Sequence, residues 1–180
     1  MFERLVVGVD PGTAATGVAA VSEGTGGASA KGASVLWAET VRTSARDPEP
    51  ERLRTLYRAI RDLLEARRPE AMAIERLMWG RNAPSAMAVA RASGVVLLAA
   101  AELGVLVREY APLEVKMAVT GNGSADKAEV RRALERLHAV RGVPRQPDAA
   151  DAVAVALCHL HQSRALRPAA VGSTGPRVRG

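Results

Sequence analysis

Three β-rich runs crowd into the first 41 residues, and after them strands alternate with helical stretches; that order restricts the chain to a mixed α/β sheet. Residues 4–10 read as a strand ending on Asp10, and Pro11-Gly12-Thr13 marks a turn. Residues 16–21 and 34–41 read as a second and third strand, joined across a Gly/Ser/Ala-rich hairpin loop at 23–32. Strands so closely spaced predict an antiparallel meander. In 49–67, Leu53, Leu56, Tyr57, Ile60, Leu63 and Leu64 recur at helical spacing, and Pro69 ends the run. A short apolar strand at 71–75 closes on Glu75. A helix at 84–103, a strand at 105–110, a helix at 125–140 and a last helix at 148–163 complete the order. The expectation is one domain over 1–163. Its five-stranded sheet has three antiparallel strands, then two parallel ones, with helices on both faces. Residues 164–180 are basic and low in complexity, and read as a disordered tail.

Composition narrows the class. Hydrophobic residues make up 48% and aromatics 3%, so Ala, Val and Leu must fill the core. No apolar run reaches the roughly 18 residues of a membrane span, and the first residues lack a signal peptide's apolar stretch. Cys158 is the only cysteine, so an internal disulfide is excluded. These features point to the cytoplasm. The net charge of +6 suits a polyanionic partner, but four arginines and no acid lie in residues 164–180. Charge alone therefore does not establish nucleic-acid binding.

Acids stand where the sheet ends. Asp10 closes the first strand and Glu75 the fourth, while Asp148 and Asp151, three apart, share one face of the last helix. In an α/β sheet, chemistry gathers beyond the carboxyl ends of the strands. If the last helix starts there, four carboxylates meet. Two like charges about 4 Å apart repel by roughly 4 kcal/mol at an effective dielectric near 20, so such a cluster calls for cations or raised pKa values. Oxygen-only ligands suit Mg²⁺ or Mn²⁺, and two such ions can drive phosphodiester hydrolysis. No Cys/His spacing competes as a zinc site. Taken singly, each acid also has a structural use: Asp10 and Glu75 as turn and loop residues, Asp148 as an N-cap with Asp151 near the helix dipole's positive end.

Four motifs occur in order: V-G-V-D-P-G-T-x-x-T-G at 7–17, A-I-E at 73–75, V-K-x-x-V-T-G-x-G-x-A-x-K at 115–127, and D-A-A-D-A-x-A-x-A at 148–156. Together they resemble the bacterial RuvC family of Holliday-junction resolvases over residues 4–163. The resemblance implies a ribonuclease-H-like fold, with Asp10, Glu75, Asp148 and Asp151 as ligands for Mg²⁺ or Mn²⁺, two ions per site. It implies a homodimer that nicks two DNA strands of like polarity in recombination and repair, and a possible link to a RuvA–RuvB branch-migration complex. Lys116 and Lys127 match family lysines near the DNA backbone and the active site. Only three of the 25 basic residues are lysine, which supports a lysine-specific role for these two. The family's aromatic residue three places after the catalytic glutamate is Met78 here, followed by Trp79, so Met78-Trp79 is the expected junction wedge. Arg76, Arg81 and Asn82 in the same loop are candidate phosphate contacts.

Residues 84–103 are apolar nearly all round, as expected of a helix that is enclosed or meets a second copy. Cys158 reads as a core residue, and His138, His159 and His161 as helix-end residues. Three other readings remain at this point. Asp-Pro-Gly-Thr resembles the first phosphate loop of actin-like ATP-binding folds, which need two domains. A non-catalytic junction binder, or a related nuclease acting on RNA–DNA hybrid, would use the same fold.

Overall fold

The computed structural model describes residues 4–23, 32–77 and 83–165, with backbone only for 83–85 and 165. Its strands are β1 (Arg4–Asp10), β2 (Ala15–Glu23), β3 (Ala33–Arg42), β4 (Ala71–Glu75) and β5 (Leu106–Tyr110). Its helices are α1 (Glu49–Arg67), α2 (Ala83–Glu102), α3 (Pro112–Thr120), α4 (Lys127–Arg132) and α5 (Pro147–Ala165), with a π-helical turn at Ala133–Leu137 following α4. The sheet order is β3-β2-β1-β4-β5. β1–β2 and β2–β3 pair antiparallel, while β1–β4 and β4–β5 pair parallel. This is the predicted ribonuclease-H-like arrangement.

Strand alternation sorts the core into two layers. Val7 and Val9 of β1, with Met72 and Ile74 of β4, join Leu56, Ile60 and Leu64 of α1 on one face. Val6 and Ala73 join the other layer, which is built on α5. Asp10 has the parity of Val6, and Glu75 that of Ala73, so both acids fall on the α5 face where their strands end.

α5 is the enclosed helix of this protein. Ala149, Ala152, Val153, Val155, Ala156, Cys158 and Leu160 are all fully buried. Small residues let it approach the sheet closely. A Cβ on Gly8 would overlap the Ala152 carbonyl oxygen, and one on Gly17 would overlap that of Asp148. Two glycines in neighbouring strands thus set the depth at which the aspartate-bearing end of α5 lies.

Two expectations change. The helix expected at 125–140 is α4 plus a π turn, and Ala139 just beyond takes φ 48°. α3 had no counterpart in the sequence reading; it is nine residues long, too short for periodicity to announce. Its signals were Pro112 at the first turn, Glu114 bonded back to the Ala111 N–H at 2.7 Å, and Val115 and Val119 four apart.

Candidate active site

The loop after β1 is held from several sides. Thr16 Oγ1 donates to the Gly12 carbonyl at 2.7 Å and accepts from the Gly12 N–H at 3.3 Å. The Thr13 carbonyl accepts from Thr43 Oγ1 and from Arg52, each at 2.6 Å. Asp10 therefore leaves the sheet in a fixed direction. The bond to Thr16 also occupies a loop N–H that a phosphate loop would offer to its ligand.

Asp10, Glu75 and Asp151 line one cleft together with Lys116 of α3 and Lys127 of α4. Pro112, Val115, Val130 and Ala154 supply its apolar lining. Lys127 Nζ lies 2.6 Å from Asp151 Oδ2. An Asp126–Glu129 capping box fixes the start of α4 and so the base of Lys127: Asp126 accepts from the Glu129 N–H at 2.7 Å, and Glu129 from the Asp126 N–H at 2.8 Å. Asp148 is not an N-cap, because α5 begins at Pro147, which suits a first helical position. Asp148 does not line the cleft, yet its charge acts on Asp10.

The electrostatics show a site short of positive charge. Burial, then the Glu75, Asp151 and Asp148 charges, push the Asp10 carboxyl up to about 7, against the pull of Lys127. Glu75 is raised by burial and by Asp151, while Lys127 and Lys116 lower it. The bond to Asp151 keeps Lys127 firmly protonated. Two lysines thus only partly answer four acids. A hard divalent cation fits this oxygen-only donor set. As the side chains stand, no three His, Cys, Asp or Glu among the described residues are gathered to hold an ion. Occupancy therefore requires the carboxylates to turn toward a shared point, with Asp151 exchanging its ammonium partner.

Arg76 is exposed just beyond β4, its N–H bonded to the Tyr110 carbonyl at 2.7 Å. Met78, Trp79, Arg81 and Asn82, and the tail expected from residue 164 except for its first two residues, lie outside the described residues. The sequence reading missed the scaffold around Lys116: the cleft wall is the unforeseen α3.

The chain matches the family model for crossover junction endodeoxyribonuclease RuvC over residues 6–159. It is 45% identical to the crossover junction endodeoxyribonuclease RuvC of Moorella thermoacetica over 155 residues, covering 86% of this chain and 90% of that protein. Identity to the Mycobacterium ulcerans protein of the same name is 43% over 154 residues, covering 86% and 82%. Among solved structures, T. thermophilus RuvC in complex with Holliday junction substrate superposes with a TM-score of 0.81 at 36% identity, covering 90% of this chain and 96% of that one. The yeast mitochondrial Holliday junction resolvase Ydc2 shares the fold, with a TM-score of 0.65 at 12% identity over 90% and 81% of the two chains.

Proposed function

The chain belongs to the RuvC family of crossover junction endodeoxyribonucleases, and from that premise we propose that the cleft at Asp10 is where it hydrolyses one phosphodiester in each of two like strands of a four-way junction. It is a Holliday-junction resolvase of recombination and repair, a divalent-metal-dependent hydrolase.

The observation that carries the assignment to this cleft is the meeting of Asp10, Glu75 and Asp151, from three elements, together with Lys116 and Lys127. Asp10, Glu75, Asp148 and Asp151 are the residues that would hold the metal. When bound, two Mg²⁺ or Mn²⁺ ions supply the Lewis acidity that activates a water and stabilises the leaving oxygen. The charges of the other three acids all act on Asp10, which suits it to a shared place between the ions. Lys116 and Lys127 present compact side-chain charges to the scissile phosphate and offset the charge that develops there.

Arg76, Arg81 and Asn82 contact the phosphate backbone, and Met78-Trp79 wedges into the junction centre, with Trp79 supplying the stacking ring. A second copy joined through α2 places two such clefts on a junction whose own symmetry is approximately two-fold. Partnership with RuvA–RuvB and a cytoplasmic location complete the reading; among the described residues no helix is long and apolar enough to cross a membrane.

The test offers the protein a synthetic four-way junction, a linear duplex and an RNA–DNA hybrid, with Mg²⁺ or Mn²⁺ and with EDTA. The expected result is paired, symmetric nicks in the junction alone, none in EDTA, and a loss of about a thousandfold in Asp10→Asn, given that metal stabilisation is worth several kcal/mol. Undiminished cutting by Asp10→Asn would show that this cleft is not the reaction centre, and preferential cutting of the hybrid would overturn the junction as substrate.

A further inference from the structure

Two histidines that the reaction does not use meet at a point where three site-bearing elements come together. His138 follows the π turn after α4, and His161 lies near the end of α5. Their ring centroids are 4.8 Å apart, with the planes tilted by 49°. His138 Nε2 donates to the Val119 carbonyl at 2.7 Å. His161 packs on His138 from the α5 side and borders the same surface groove as Ala118 of α3.

Ala118 and Val119 belong to the last turn of α3, where helix carbonyls lose their intrahelical donors. Gly121, in the left-handed region at φ 72°, turns the chain away, and its N–H reaches only the Met117 carbonyl, at 2.9 Å. The Asn122 N–H is taken by Thr120 Oγ1 at 3.0 Å. One imidazole, from the segment after α4, thus serves as partner to the Val119 carbonyl, and a second, from α5, packs against it. Lys116 stands three residues before the gripped carbonyl, on the same turn, and lines the cleft with Asp10, Glu75 and Asp151.

Local backbone supports the same reading. The π turn inserts an extra residue ahead of His138, whose N–H bonds the Ala133 carbonyl at 3.0 Å, five residues back. Ala139 then takes φ 48°, which costs a non-glycine residue on the order of 1 kcal/mol. A plain α-helical turn would avoid this strain and carry His138 to another direction.

We propose that His138, braced by His161, clamps the last turn of α3 and so positions Lys116 against the carboxylates of β1, β4 and α5. Neither histidine touches substrate; both are positioning residues that act through Lys116. The inference rests on the nuclease reading of the cleft.

The test is single-turnover cleavage of a four-way junction at saturating Mn²⁺ by His138→Leu/His161→Leu. A misplacement of about 1 Å can cost up to a hundredfold, and the expected loss is about tenfold in rate. Junction affinity and Mn²⁺ affinity, measured separately, stay within about twofold. His138→Gln, whose carboxamide N–H can still reach Val119, recovers most of the rate that His138→Leu loses. In a Lys116→Ala background the histidine changes produce no further loss. Wild-type rate in the folded double variant overturns the clamp, as do losses that multiply with that of Lys116→Ala. Should the double variant fail to fold, the comparison of His138→Gln with His138→Phe decides: equal rates overturn the clamp, and a slower Phe variant supports it. Wild-type protein that leaves the junction uncut sinks the nuclease reading instead.

Discussion

At the residue scale, the proposed site turns on competition for Asp151. Lys127 Nζ holds the Asp151 carboxylate at 2.6 Å, and a metal ion at the proposed site would seek the same group. Lys127 is largely exposed, so water screens the pair and its strength is modest. Lys127→Met should therefore bind Mn²⁺ severalfold more tightly in a metal titration while cutting the junction more slowly. A variant that binds metal more weakly would show that Lys127 supports the ion rather than competing with it. His159 behaves differently. It is buried and shares a 2.7 Å hydrogen bond with Tyr110 through Nδ1. Burial, then the Arg4 charge, lower its pKa from the usual 6.5. The unfolded chain then binds the proton more readily than the folded one, so stability is lost as pH falls through the ordinary value. The melting temperature should drop between about pH 7 and pH 5, and His159→Gln should flatten that slope. An unchanged slope would assign the acid sensitivity to other groups.

At the element scale, α5 decides whether the acids can meet. Its depth is fixed by backbone contact at Gly8 and Gly17 and not by side chains that could adjust. Gly8→Ala should cost about 3 kcal/mol in a denaturant titration, the upper end for overpacking, because the obstacle is the Ala152 carbonyl. A loss below about 1 kcal/mol would mean that α5 can ride outward at little cost. The strands and the longer helices were legible because alternation and 3.6-residue spacing reflect burial on one face. The α1 bounds and those of β4 match the sequence reading. α3 and the π turn were not legible, for they answer to the packing of neighbours. Glu114 and Gly121 mark the ends of α3, and the distant His138 bonds its last turn, which no local pattern carries.

At the scale of the whole molecule, the outward face of α2 bears on the proposed dimer. Its buried stripe runs through Ala92, Val96, Ala99 and Ala100, while Met87 and Leu98 are 47% and 52% exposed. The helix is thus not enclosed within one chain, and the proposed second copy would cover its apolar outer side. Leu98→Glu should shift the protein to monomer in sedimentation at micromolar concentration and reduce paired nicking to single, uncoordinated nicks. A dimer that survives the change would move the interface elsewhere.

The sequence by itself determined the class of sheet, the places where strands end, and which acids and lysines to propose for the site, because periodicity and motif order are local properties. Only the tertiary structure decided that Asp10, Glu75 and Asp151 share a cleft while Asp148 stands outside its lining. It also showed that Asp151 is held by Lys127 and that three elements meet over one helix end. Such relations depend on how closely helices approach a sheet, a distance set by contacts between residues more than a hundred positions apart.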